Sequence, residues 1–253
     1  MIFNYSVSSH YASETLAFLS ETKYSKNRPM GNVSLLQLHR IVGLCLIGMD
    51  KEVKGLLPDR LLWIETAIDE QEEFGGNIDY HLMELHSSAA VYSWMITSKI
   101  DSPHWHFARI HNEIAAKGKN VYSKNDLSTE RIDEYMLYCY FAGEYNLAII
   151  EFEKIKKLSG SDIKILFPRD LVYALCLHKA ARTIPGNEIL SAGRKVMRRY
   201  LQSKWIGAGR AGYAAMWLSL LYGVFQPELS PREVILKAYD DMPKVERPAF
   251  VNE

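Results

Sequence analysis

Apolar side chains in this chain recur every three or four residues and almost nowhere alternate. Leu61, Ile64 and Ile68 follow that spacing, which stacks them on one face of a helix. Glu65, Asp69 and Glu72 repeat it on an adjoining polar face. Alternating runs rich in β-branched residues are rare, and no Asn-Gly or Asp-Gly hairpin turn is present. The pattern predicts an all-α fold of ten or eleven helices.

Local signals place their ends. Ser230-Pro231-Arg232-Glu233 has the capping-box order, and Ser102-Pro103 repeats the Ser-Pro start. Ser128 lies between Leu127 and Ile132, at the spacing of a hydrophobic staple. Gly143, Gly160 and Gly223 are stop signals. Helices are expected at roughly 10–22, 33–49, 58–74, 79–98, 103–117, 129–142, 144–158, 168–182, 187–204, 209–224 and 231–241. Short links make consecutive helices antiparallel. From 33 onward they pair, and pair starts step by roughly 39–50 residues, as in a short solenoid of stacked helical hairpins. One domain spanning 1–253 is expected, with 1–32 as an N-terminal capping segment and 242–253 as a C-terminal tail.

Composition narrows the class. With 48% hydrophobic and 24% charged residues, the chain is an ordinary globular sequence rather than a disordered one. Its 30 Lys and Arg balance 30 Asp and Glu, which gives no overall attraction to nucleic acid or to an anionic membrane. No apolar run reaches the ~20 residues that cross a bilayer, and the N-terminus lacks the basic and apolar regions of a signal peptide. Cys45, Cys139 and Cys176 each stand between apolar or aromatic neighbours, the pattern of buried reduced thiols in a cytoplasmic protein.

Residues 143–155, GEYNLAIIEFEKI, resemble the middle of a tetratricopeptide repeat. In that family a Gly closes the first helix, a Tyr begins the second, and an Ala-Ile pair with an aromatic residue forms its packed face. Gly143, Tyr145, Ala148, Ile149 and Phe152 occupy those positions. The resemblance implies helical-hairpin stacking around this pair. Small Ala148 would let the helices approach while Tyr145 and Phe152 fill the space beside it.

No motif names a chemistry. Nucleophile elbow, P-loop and dinucleotide fingerprint are all missing, so no catalytic residue and no cofactor are expected. Gly207-Ala208-Gly209-Arg210-Ala211-Gly212 could cradle a phosphate, but reads more simply as a turn before a close-packed helix. Five of the eight histidines, His81, His86, His104, His106 and His111, fall within 81–111. Their spacing is poor for a metal ion. His104 and His106 are expected at the surface in the first turn of a helix, with His111 flanking a core stripe of Phe107, Ile110 and Ile114. Trp63, Trp94, Trp105, Trp205 and Trp217 are expected in the core or between hairpins.

Charge is uneven along the chain. Residues 59–84 hold eight acidic side chains against one basic, and 179–210 hold eight basic against one acidic. A single-sign block is either a solvated helix face or a patch for an oppositely charged partner. The candidate partner-binding face is Glu65, Asp69, Glu70, Glu72, Glu73 and Asp79. A secondary basic stripe is Arg194, Lys195, Arg198, Arg199 and Lys204, with i,i+4 pairs that could meet nucleic acid.

In overall plan the chain resembles immunity proteins of bacterial toxin systems, which are small helical proteins that bind and block a cognate toxin domain, often a basic nuclease. That resemblance implies a non-enzymatic, cytoplasmic protein whose acidic face covers the toxin's basic surface. The alternative expectation is a tetratricopeptide-like scaffold holding a peptide. A basic-stripe nucleic-acid binder or a histidine metalloenzyme stands behind both.

Overall fold

A computed structural model of the chain describes residues 5–22, 30–46, 49–71, 78–97, 99–117, 129–156, 165, 168–180, 188, 189, 191–193, 195, 196 and 233. Among them there are eight helices and no strand: α1 (Tyr5–Glu21), α2 (Gly31–Leu46), α3 (Asp50–Gln71), α4 (Ile78–Thr97), α5 (Pro103–Lys117), α6 (Thr129–Phe141), α7 (Tyr145–Lys156) and α8 (Pro168–Lys179). The all-α expectation holds. The expected helices at 187–204, 209–224 and 231–241 lie outside the described residues, apart from isolated helical positions, as do the Gly207–Gly212 stretch, the staple and Cys45's side chain.

The expected start of α3 at Pro58 is corrected: the helix begins at Asp50 and carries Pro58 inside it. A proline there removes one N–H and crowds the carbonyl four residues back. The helix tolerates it because Lys54, Gly55 and Pro58 share an exposed face, where water can reach the freed carbonyl. The added turns bury Val53 and Leu57, and farther on Ile64, Ala67 and Ile68 continue the buried stripe.

Helix α4 is the centre of the first half. Every residue from Leu82 to Tyr92 is buried, because α2, α3 and α5 all pack on it. Its small side chains permit close contact, and Ser88 Oγ lies 3.2 Å from Ser34 Oγ of α2. At the start of α2, a Cβ on Gly31 would stand 2.8 Å from His81 Cα and 2.9 Å from His81 O, so only glycine fits that crossing. With Asn32's amide nitrogen turned inward, it reaches both carboxylate oxygens of buried Glu84 at 3.1 and 3.2 Å.

The second half packs α6 against α5, α7 and α8. Trp105 of α5 stacks on Phe141 with ring centres 4.4 Å apart, and Phe152 of α7 stacks on Tyr173 of α8 at 4.1 Å. Helix α6 ends in a Schellman turn. Glu144 N–H donates to Cys139 O, Gly143 N–H donates to Tyr140 O, and Gly143 takes φ 78°. Ala148, Ile149 and Phe152 are buried. Helix α5 opens at Ser102-Pro103, with Trp105 N–H donating to the Ser102 carbonyl rather than to its hydroxyl. No helix among the described residues is long and apolar enough to cross a membrane.

Candidate functional site

The candidate acidic residues occupy different faces. Glu65 and Asp69 stand exposed on α3 one turn apart, in line with Leu62, whose exposure is 63%. Glu70 is half-buried beside them. Asp79 is on α4 and faces α5, where its Oδ1 accepts from His111 Nδ1 at 2.9 Å. Glu72 and Glu73 lie outside the described residues, as do Arg198, Arg199, Lys204 and the side chain of Arg194. Lys195 is exposed.

Helix α5 corrects the expected core stripe. Phe107 and Ile114 are 46% exposed, and Ile110 is half-buried. The buried face is instead Trp105, Ala108, Asn112 and Ala115. Two small alanines let α5 sit close to its neighbours, and Trp105 fills the space against α6. The signal was present as a second set at helical spacing, hidden because alanine scores weakly beside phenylalanine and isoleucine. Leu147 and Ile150 on α7 are likewise exposed.

The histidines are not a surface scatter. His86 is buried on α4, and three side chains of one α5 face close over it. Its ring stacks on Phe107 at 5.1 Å and on His111 at 5.5 Å with a 7° tilt, and its Nδ1 lies 3.0 Å from His104 Nδ1. His104 is therefore turned inward, a correction to its expected place at the surface. His106 is exposed as expected, with Nδ1 2.7 Å from Glu144 Oε1. Arg109 joins the same carboxylate through Nε at 2.8 Å and donates to Glu113 at 3.0 Å.

These contacts fix the local geometry. Asp79, near the start of α4, meets His111, and His86, farther along it, meets His104 at the start of α5, so the two helices are antiparallel. Glu65 of α3 acts electrostatically on His104. Burial lowers the His104 pKa while Glu65 opposes that shift. Burial, reinforced by His104 and His111, takes His86 from the ordinary 6.5 down to about 3.

Among the described residues, no group of three or more His, Cys, Asp or Glu could hold a metal ion. A shallow hollow of about 360 Å³ lies at the α6–α7 turn, lined by Glu144, Tyr145, Leu147 and Ala180. Its one acidic group is already engaged by His106 and Arg109. Comparison of the chain with protein-family models, with curated proteins and with solved structures finds no match.

Proposed function

We infer that this chain is a protein-binding helical-hairpin array that acts as an immunity protein, covering the basic surface of a cognate toxin domain. The observation that carries the reading is the exposed set Leu62, Glu65 and Asp69 on α3; Phe107 and Ile114 on α5 are exposed as well. Apolar side chains flanked by carboxylates suit a partner with cations around an apolar centre. Both carboxylates are exposed, and Glu65 also acts on His104.

The array supports the solenoid part. Helices α2 and α4 pack on each other, as do α6 and α8, and each helix from α3 to α7 also touches its sequence neighbours. Those contacts are compatible with stacked hairpins. The α6–α7 turn and Ala148 support the tetratricopeptide-like alternative. A peptide groove in that family would draw on the first helices of the pairs. Here α4 is buried from Leu82 to Tyr92 and offers little surface, while the exposed apolar residues of α3, α5 and α7 favour a folded partner.

Co-expression with the product of the adjacent reading frame tests the inference. The expected result is rescue of an otherwise lethal product and co-purification of the two chains. A harmless neighbour that does not co-purify refutes it. Within a complex, Glu65→Lys with Asp69→Lys should weaken binding at least tenfold and flatten its salt dependence. Unchanged affinity would move the interface elsewhere.

A further inference from the structure

The histidine cluster adjoins the residues of that reading through Phe107 and Glu65, but its imidazoles have no part in it. It joins two helices. From α4 come His86 and Asp79, and from α5 come His104 and His111. From α3, Glu65 acts on His104. The other charged groups nearby point away: His81 and Glu84 face the start of α2, while His106 and Arg109 face Glu144.

We propose that these stacked imidazoles form a proton-operated latch between α4 and α5, closed while His86 and His104 are neutral and opened when they take up protons.

The geometry imposes this. A 3.0 Å contact between two Nδ1 atoms needs one bare nitrogen to accept and one N–H to donate. Two imidazolium ions would set N–H against N–H, so the pair cannot be doubly charged without separating. His86 is buried with Phe107 and His111 stacked on it, so a charge on its ring would be desolvated. Asp79 cannot serve it, being held by His111. Helix α5 is the element that must yield, because α4 is gripped on its other sides by α2 and α3.

The sign follows from linkage. The folded pKa of His86 lies below its ordinary 6.5, at about 3. Above pH 6.5 both states hold it neutral and it has no effect. Between 6.5 and about 3 the opened or unfolded state binds a proton that the closed state refuses, so closure weakens as pH falls. One such proton multiplies the opening constant about tenfold per pH unit. His104 is lowered in the same direction and steepens the response.

The test is urea unfolding of the full chain from pH 7.5 to 4.5, with hydrogen exchange read by mass spectrometry. His86→Phe keeps the ring stack and removes the titrating nitrogens. It should lose about one proton from the slope, so the two proteins diverge about tenfold per unit below pH 6. His81 remains in both and cancels. In the native protein, exchange in 82–92 and 103–115 should rise on acidification before exchange in 136–140 and 171–177. Equal slopes, or acid exchange that rises uniformly, would overturn the latch. Should His86→Phe fail to fold, the carbon-bound proton signals of His86 in the native protein decide. Titration near pH 6.5 with the fold intact refutes the proposal, and no titration down to the acid transition supports it.

Discussion

Replacing Gly31 with alanine tests the α2–α4 crossing directly. The new Cβ would lie 2.5 Å from Glu84 Oε2, 2.8 Å from His81 Cα and 2.9 Å from His81 O. Carbon atoms rest at ~3.5–4.0 Å, so the contact with His81 Cα is about 0.7 Å too short. The Glu84 side chain can swing, but two of the three neighbours are backbone of α4, which is packed against α2, α3 and α5. Helix α2 must therefore retreat, which stretches the Ser34–Ser88 contact and unseats Asn32 from Glu84. Overpacking of this kind destabilises by roughly 1–3 kcal/mol. Alanine's helical advantage is small here, because Gly31 is the first residue of α2. At this chain length each kcal/mol lowers Tm by about 2–4 °C, so a fall of roughly 2–12 °C is expected. The assay is thermal unfolding followed by circular dichroism, with Gly55→Ala as control. Gly55 lies exposed within α3 with nothing near its would-be Cβ, so alanine there should stabilise by about 0.5–1 kcal/mol. A Gly31→Ala protein as stable as the native one, or a Gly55→Ala protein that is less stable, would refute the reasoning.

Gly143→Ala should destabilise by about 1–2 kcal/mol despite open space around it, because φ 78° is strained for any residue with a Cβ. Gly143→Asn should lose less, since asparagine tolerates that region, and urea midpoints will rank the two. Cys139 and Cys176 are free and buried, and burial pushes the Cys139 thiol up to about 12 and the Cys176 thiol higher still. Both should resist a thiol reagent at pH 8 until the chain unfolds, as mass mapping of the modified residues would show. Their raised values also mean that stability is lost as pH climbs past 9, where the unfolded thiols ionise first.

Where one face of a helix is unambiguous, the sequence and the structure agree closely. The α6–α7 turn is the clearest case: Gly143, Ala148 and Phe152 each have one steric role, and all three are filled. The start of α3 differs from the pattern's expectation because proline marks either the first turn of a helix or an interior position whose orphaned carbonyl faces water. Only the fold distinguishes them. Helix α5 departs from expectation for a related reason. It has two apolar stripes, and burial went to the smaller residues, which allow closer approach, leaving Phe107 and Ile114 outside.

The acidic block illustrates the limit of counting charge along a chain. Eight carboxylates between 59 and 84 suggest one strong patch. The fold takes Asp79 into a contact with His111 and buries Glu84 beneath the start of α2. Glu65 and Asp69 remain in line with exposed Leu62, so the surface open to a partner is smaller and more apolar than the count implies. The two kinds of residue should then divide the kinetics of binding. Reversing Glu65 and Asp69 removes long-range attraction and acts chiefly on the association rate, most strongly at low salt. Truncating Ile114 to alanine removes apolar contact and acts on the dissociation rate, with little change in the stability of the free protein because that side chain is outside its core; Phe107 also stacks on buried His86, so truncating it should cost stability as well.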